Sequence, residues 1–502
     1  MRAKKALANI IVSFLLNIIT AICGFVVSRI IIASFGSEIN GLISSINQFL
    51  SYIALIEGGV GGVVRASLYK PLAKADTVAI SRILKATENF FKKVAYIFVG
   101  YVLVLSIAYP YLVENSFQEF YTSLLIIIMG ISTFVQYYFG ITYQMLINAD
   151  QKQYITNIVQ ILTTVVNTIL ILILITIGAN IHIVKLGSAL VFICRPIFFN
   201  IYVRKKYRII SNCDPDNNAI GTRWDGMWHH LAYFVHRNTD MVVITMFSGI
   251  KEVSVYSVYY MIVNALEKIV RVFSSGVEAA FGNMISNNEK QSLLRNFGIF
   301  NFINSIITNT VFTVAGIMIM PFVSIYIRGI TDANYYRPLL AVFVILAEAV
   351  FCYRLPYQSV TLAAGKYKET RNGALGEAII NIVLSVILIN FIGITGVAIG
   401  TCIAMAYRTI QYAIYASKYI LNVGIGDFIK KIVINTLNAI LMIYIFSILT
   451  QVMIDSYERW IVRAVIITCT ILLENLIVQI IFYYKDYLNI LSVMKHIVKA
   501  KS

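Results

Sequence analysis

The chain has 502 residues, of which 59% are hydrophobic and only 13% charged, and its 41 lysines and arginines face 24 acidic residues. Soluble domains are about half apolar, so this composition excludes a soluble globular protein of this length. The net charge of +17 is explained below by the position of the basic residues relative to a membrane, and it does not require nucleic acid as a partner.

Apolar runs of about 20 residues, the length at which a helix crosses a bilayer, recur from end to end. They predict an all-α polytopic membrane protein with about fourteen transmembrane helices and no sizeable soluble domain. The predicted spans are 10–34, 40–68, 90–113, 119–147, 154–178, 181–203, 228–248, 252–281, 297–326, 337–362, 373–392, 395–421, 429–453 and 460–484.

The first run follows Arg2, Lys4 and Lys5, and it is too long for a signal peptide, so we interpret it as the first spanning helix. The second span contains EGGVGG at 57–62. Clustered glycines predict close helix packing, with a hinge as the alternative. Residues 69–89 alternate basic and apolar positions at helical spacing, which predicts a short amphipathic helix on the inner leaflet.

The polar segment 204–226 predicts a cytoplasmic linker between two six-helix lobes. The expected organisation is an N-lobe of spans one to six (1–203), the linker, a C-lobe of spans seven to twelve (227–421), and residues 422–502 with spans thirteen and fourteen and a cytoplasmic tail. With the N-terminus inside, inner segments and their flanking residues hold 27 lysines and arginines and outer segments hold 4. The positive-inside rule therefore predicts that both termini are cytoplasmic.

Ten further basic residues lie within spans, where a charge near the bilayer centre costs at least about 2.5–3.5 kcal/mol. They are Arg29, Arg65, Lys185, Arg195, Arg237, Lys268, Arg271, Arg354, Arg408 and Arg463. Seven acids accompany them, namely Glu57, Asp240, Glu267, Glu278, Glu348, Glu377 and Glu474. The excess of basic groups predicts a cationic, water-filled cavity.

Spans seven and eight carry the clearest polar stripes. At 100° per residue, His229, Tyr233, His236 and Asp240 fall within about 60° of one another. Span eight repeats the pattern with Tyr256, Tyr260, Glu267, Arg271, Ser274 and Glu278. Such stripes line a cavity or face one another. The alternative is local pairing, of Arg237 with Asp240 and of Glu267 with Arg271, while Arg29, Arg65 and Lys185 could reach the headgroups from span ends.

Motifs for catalysis or metal binding are sparse. The six cysteines are scattered without metal-ligand spacing, so we interpret them as small core residues and predict no metal site. No Walker loop, HExxH or GxSxG motif occurs, so we expect no ATP hydrolysis, no cofactor and no enzymatic activity. The pair His229 and His230 lacks further ligands and suits a polar cavity wall.

Two stretches resemble a known family. FGSEINGLISSINQFLSYIALIEGGVGGVVRASLYKPLAKAD (35–76) resembles the second-helix region of bacterial polysaccharide-unit flippases of the Wzx type, and HRNTDMVVITMFSGIKEVSVYSVYYMI (236–262) resembles their seventh and eighth helices. Together with the fourteen spans, they make the chain similar to the multidrug/oligosaccharidyl-lipid/polysaccharide (MOP) flippase superfamily over nearly its whole length.

The resemblance implies two lobes around a central cavity and transport by alternating access. The implied cargo is an oligosaccharide on a polyprenyl phosphate or pyrophosphate of the undecaprenyl type, moved from the inner to the outer leaflet of a bacterial-type cell membrane for surface polysaccharide synthesis. It further implies that spans thirteen and fourteen border a groove for the lipid tail. We expect a monomer among membrane lipids.

The residues implied by the resemblance fall into two groups. The expected contacts with the headgroup phosphate are Arg29, Arg237, Lys268, Arg271, Arg354 and Arg408, since arginine binds phosphate with a bidentate fork. The expected cavity-lining or coupling residues are Glu57, Arg65, His229, Tyr233, His236, Asp240, Tyr260 and Glu267. A sodium ion or proton could couple to transport at Glu57, Asp240 or Glu267.

Two other functions are open. A multidrug or cation exporter of the same superfamily would favour an acidic and aromatic cavity, which the basic excess opposes. A membrane polysaccharide polymerase or ligase would typically carry a large external loop with catalytic residues, whereas the predicted outer loops are short.

Overall fold

A computed structural model describes residues 2–113, 117–210, 212–224, 238–274, 277–449 and 455–499. The chain divides into two compact units, Met1–Ser257 and Val258–Ser502. The predicted lobe and linker boundaries stay predictions. The described residues are almost entirely helical, and the all-α fold class is confirmed.

The helices of the first unit are α1 (Arg2–Ser51), α2 (Ala54–Lys74), α3 (Thr77–Leu112), α4 (Glu119–Val135), α5 (Ile141–Ala149), α6 (Gln153–Thr176), α7 (Ile181–Lys206) and α8 (238–247). Helix α9 (Ile250–Ser274) contains the boundary between the units. The second unit continues with α10 (Val277–Ser286), α11 (Lys290–Tyr326), α12 (Pro338–Ala363), α13 (Tyr367–Ile392), α14 (Ile394–Tyr415), α15 (Gly426–Leu449), α16 (Tyr457–Phe482) and α17 (Tyr484–Lys499).

Within the described ranges, ten helical segments are long and apolar enough to cross a membrane, with α4 and α5 counted as one. The protein is therefore a multi-pass membrane protein. Of the predicted span 228–248, only the part that forms α8 lies among the described residues.

Two backbone breaks divide the first 74 residues. Gly36 interrupts α1 with a φ of 87°, a conformation that a residue with a side chain adopts only with strain, and it separates the first two predicted spans. The second predicted span, 40–68, is not one helix as expected. It joins the end of α1 to α2 through a turn at Tyr52 and Ile53, just before the glycine cluster.

The prediction of an amphipathic surface helix at 69–89 is wrong. Residues 69–74 end α2, and Asp76 caps α3 by accepting a hydrogen bond from the backbone N–H of Ala79 at 2.9 Å. The apolar positions Ile80, Ile83 and Leu84 are buried in the core of the first unit. The alternating pattern is explained by a helix whose apolar face packs against protein rather than lipid.

Helix α1 packs against α6, and α3 against α4. After Gly36, α1 also meets α8 and the start of α9 through buried polar contacts. Asn40 donates to Ser254 at 2.7 Å, and the hydroxyls of Ser45 and Thr245 lie 2.7 Å apart. Such contacts are common between helices in membranes, where apolar surface alone gives little preference for protein over lipid.

In the second unit, α14 packs closely against both α12 and α13. Helices α15 and α16 meet α11 through buried amides. Asn309 and Asn438 both donate to the Oδ1 atom of Asn475, at 2.6 and 2.8 Å. The last two predicted spans are therefore attached to the second unit by hydrogen bonds as well as apolar contacts.

Candidate functional site

A group of ionisable residues on α9, α12, α13 and α14 forms what we call the basic cluster. It consists of Glu267, Lys268, Arg271, Arg354, Glu377 and Arg408. Four basic and two acidic side chains give these six residues a formal charge of +2. All six belong to the second unit.

The inner part of the basic cluster is a buried carboxylate shared by two arginines. Arg354 Nη1 lies 2.8 Å from Glu377 Oε1, and Arg408 Nε lies 3.7 Å from Glu377 Oε2. The three side chains are between 3% and 7% exposed. The two guanidinium groups neutralise the buried carboxylate and leave one positive charge over. The trio therefore carries one net formal positive charge inside the helix bundle.

Neighbouring groups fix the orientation of Arg408. It donates to the backbone oxygen of Thr370 at 2.6 Å and to the hydroxyl of Tyr412 at 3.0 Å, and it also bonds the side chain of Gln411. Its guanidinium lies 4.2 Å from the centre of the Tyr412 ring. Arg408 therefore ties α13 to α14 while keeping its charge buried.

The outer part of the basic cluster is Arg271 with Glu267. Their side chains meet at 3.2 Å, where Glu267 is 1% exposed and Arg271 45% exposed. This is the local pair that the four-residue spacing predicted. The buried carboxylate anchors the guanidinium, whose exposed part is accessible from outside the helix bundle.

Phe351 connects the two parts. The Arg271 guanidinium lies 5.8 Å from the centre of its ring, and that of Arg354 lies 4.5 Å from it. The ring is buried. Two cations on one aromatic ring are each attracted to it, so Phe351 holds Arg271 close to the buried trio despite their like charge.

This arrangement suits an oxyanion. An exposed arginine, supported by a buried cluster with excess positive charge, can bind a phosphate or carboxylate through paired N–H donors. In the described ranges, no group of three or more His, Cys, Asp or Glu side chains is placed to hold a metal ion.

The other predicted site residues belong elsewhere. In the first unit, Glu57 accepts a hydrogen bond from Tyr137 at 3.1 Å, and Arg65 is exposed. Asp240 is buried and accepts one from Tyr256 at 2.5 Å. Arg29 is partly buried on α1.

Tyr260 lies partly buried on α9 in the second unit. Four predicted residues lie outside the described part of the chain, namely His229, Tyr233, His236 and Arg237. The structure thus brings together Arg271, Arg354 and Arg408 with Glu267, while Lys268 follows Glu267 on α9 and is exposed.

The sequence did not indicate a role for Glu377 or Phe351. Glu377 was counted among the acids in the spans, but its partners are 23 and 31 residues away, and no local spacing indicates such a pair. Tyr412 follows Arg408 by four positions, a spacing that predicts both on one helix face, and the structure shows their contact.

The fold is similar to that of "Lipid II flippase MurJ, inward closed conformation", with a TM-score of 0.70 and 15% identity over 95% of this chain and 98% of that one. It is also similar to an inward-facing multidrug resistance MATE family transporter of the MOP superfamily, with a TM-score of 0.60 and 13% identity over 82% and 97% of the two chains. A MATE transporter from Vibrio cholerae, VcmN, gives 0.58 and 14% identity over 84% and 99%.

These likenesses show that the chain has the fold of these membrane transporters. No curated protein matches the chain significantly in sequence. Residues 6–281, more than half of the chain, match the model of the polysaccharide biosynthesis protein family. The chain belongs to that family.

Proposed function

We propose that the protein moves a polyprenyl phosphate- or pyrophosphate-linked oligosaccharide from the inner to the outer leaflet of a bacterial-type cell membrane by alternating access. The family supports polysaccharide biosynthesis, and a structural neighbour described as a lipid II flippase supports a lipid-linked cargo. The net positive charge of the basic cluster supports an anionic headgroup.

The observation that carries the proposal is the exposed guanidinium of Arg271. It is fixed by a buried carboxylate and backed by the charge of Arg354 and Arg408. A cationic drug would be repelled by this environment, whereas a phosphate would be attracted. Arg271 contacts the headgroup, Arg354 and Arg408 support it from the buried side, and the further proposed contacts are Arg29, Arg237 and Lys268.

The membrane potential supplies a driving force. Moving one charge through 100 mV is worth about 2.3 kcal/mol, and a negative interior favours outward movement of an anionic headgroup. A sodium ion or proton coupled at Glu57, Asp240 or Glu267 would add to it. In this proposal His229, Tyr233 and His236 line the cavity with Arg65 and Tyr260.

The proposal is tested with purified protein in liposomes that contain a fluorescent polyprenyl pyrophosphate-linked sugar. Reduction of the fluorophore from outside measures flipping. Arg271→Lys keeps the charge but loses the fork, and Arg271→Ala loses both. Because a charge-assisted hydrogen bond contributes roughly 1.5–3 kcal/mol, we expect Ala to slow flipping about tenfold or more, and Lys by less.

A double substitution separates binding from structure. If Arg271 serves only to neutralise Glu267, then Glu267→Gln with Arg271→Gln will restore the flipping that Arg271→Gln loses, and the binding role is refuted. The matched control is Arg459→Gln, which breaks another four-residue ion pair, with Asp455, that is exposed at the start of α16. Transport of a cationic dye in place of the lipid would identify an exporter instead.

A further inference from the structure

Helix α7 carries a charge on the side that does not face lipid. Its exposed apolar residues Leu190, Ile197 and Ile201 lie within about 40° of one another at 100° per residue, and define the lipid-facing side. Arg195 lies roughly 140° from the middle of that stripe, on the side where Phe199 and Val203 are buried. Its side chain is therefore directed into the protein.

Neutral groups hold this arginine. Its Nε donates to the hydroxyl of Thr163 at 2.6 Å, and its Nη2 donates to the hydroxyl of Thr164 at 3.1 Å. The guanidinium lies 4.4 Å from the centre of the Phe192 ring. A guanidinium has five N–H donors, and these contacts fix its plane while using only two of them.

No described carboxylate lies within ion-pair distance of Arg195. Of the 24 acidic residues, only Glu114 and Asp225 have side chains outside the described part, and the sequence places both in loops. Hydroxyl groups and an aromatic ring do not neutralise a full charge. The compensating anion is therefore not supplied by the described protein.

The depth of Arg195 indicates the source of that anion. Eight residues separate it from the end of the predicted span at 203, which is about 12 Å at 1.5 Å per residue. Thr163 lies ten residues into α6, about 15 Å from its start. A bilayer phospholipid keeps its phosphate at the surface, whereas a carried headgroup passes through this depth.

We infer that Arg195, oriented by Thr163 and Thr164, is a second oxyanion contact for the cargo, located in the first unit and separate from the basic cluster. The inference rests on the proposed function and extends it, because it assigns phosphate recognition to both units. Lys185, ten residues earlier on α7, also forms no ion pair with a described residue, and it continues the cationic side of the helix.

The test measures binding of farnesyl pyrophosphate to the purified full-length protein by calorimetry, with farnesol as the uncharged reference. We expect Arg195→Gln to weaken binding about tenfold, Arg195→Lys to weaken it less, and Thr163→Val with Thr164→Val to weaken it severalfold because the fork loses its orientation. Arg204→Gln, an exposed arginine at the end of the same helix, should bind as the wild type does.

Each other outcome has a distinct meaning. Arg195→Gln with a lower melting temperature but an unchanged Kd would show a structural arginine and overturn the inference. If Arg195→Gln changed the Kd for phosphatidylglycerol in nanodiscs but not the Kd for farnesyl pyrophosphate, the site would bind bilayer lipid, and the inference would be overturned. If only Arg271 variants lose binding, the inference fails and the proposed function stands. If the wild type binds farnesyl pyrophosphate no better than farnesol, both fail.

Discussion

Glu377 is the residue on which two buried arginines depend. Removing the carboxylate leaves Arg354 and Arg408 close together without a counter-charge, and breaking a buried ion pair typically costs 3–5 kcal/mol. We therefore expect Glu377→Gln to lower the free energy of unfolding by on the order of 3–5 kcal/mol. Thermal unfolding of the purified protein in detergent measures it.

The control for this prediction lies on the same helix. Glu369 pairs with Lys366 in an exposed contact at 3.2 Å, and exposed pairs contribute at most about 1 kcal/mol. Glu369→Gln should leave the unfolding temperature nearly unchanged. Equal effects of the two substitutions would mean that the buried trio is not a stabilising unit.

Asp150 provides a prediction that depends on pH. It lies 3.7 Å from Lys5 of α1 and 2.6 Å from Lys152, and it accepts a hydrogen bond from Tyr207 at 2.7 Å. Burial alone would raise the pKa of Asp150, but the bonds from Lys152 and Tyr207 and the charges of both lysines outweigh it and lower the pKa below 3.8.

A carboxyl group with a lowered pKa stabilises the fold above its ordinary pKa and loses that contribution as the pH falls through the lower, folded-state pKa. Asp150→Asn should therefore reduce stability at pH 7 by about 1 kcal/mol or less, since the contact is partly exposed. The difference from wild type should shrink well below pH 3.8. Unfolding curves of both proteins at pH 7 and well below pH 3.8 measure this difference. A difference in stability that persists in acid would contradict the prediction.

At the residue scale, what could be predicted from sequence was local. The pair of Glu267 and Arg271 follows from its four-residue spacing. The pairing of Glu377 across α12, α13 and α14 does not, because it depends on how three helices pack. The same limit applies to Arg195, whose partners on α6 are 31 and 32 residues away.

At the scale of elements, Gly41 lies where α1 approaches the start of α9 closely. A Cβ atom added there would lie 2.0 Å from the backbone oxygen of Ile250, at the start of α9. One of the two backbones would have to move, and overpacking of this kind typically costs 1–3 kcal/mol. We expect Gly41→Ala to lower the unfolding temperature, as a thermal melt would show.

Gly62 is the matched control, since nothing lies within 4 Å of the Cβ it would gain. Alanine also favours helix more than glycine does, by about 1 kcal/mol. Gly62→Ala should therefore be neutral or stabilising. A loss of stability in Gly62→Ala as large as that in Gly41→Ala would show that the contact with Ile250 is not the cause.

The positions of α6, α12 and α16 were predicted to within a few residues, because the length of an apolar run sets the extent of each helix. Two features were not predicted. The turn at Tyr52 and Ile53 lies in an apolar run without proline or glycine, and the π-helical segment Gln136–Gly140 continues an apolar helix without a change in pattern. Both depend on packing, which residue periodicity does not report.

At the scale of the whole molecule, composition alone indicated a membrane protein, because a chain that is 59% hydrophobic cannot bury all of its apolar surface away from water. The all-α fold class followed from the recurring apolar runs, and the structural likenesses agree with it. The polysaccharide biosynthesis family is shown by the family match. The cargo and its direction of transport do not follow from hydropathy, since solved structures with a similar fold include both a lipid II flippase and a multidrug resistance transporter.

The orientation of the chain in the membrane is the last prediction. With an even number of spans and 27 lysines and arginines on one side against 4 on the other, the positive-inside rule places both termini in the cytoplasm. A green fluorescent protein fused after Ser502 should fluoresce, and alkaline phosphatase fused there should be inactive. Alkaline phosphatase inserted in the 110–118 loop, between α3 and α4, should be active outside, with protein levels matched by immunoblot. An active phosphatase at Ser502, together with an active one in the 110–118 loop, would mean that the number of spans is odd and that one of the fourteen was miscounted.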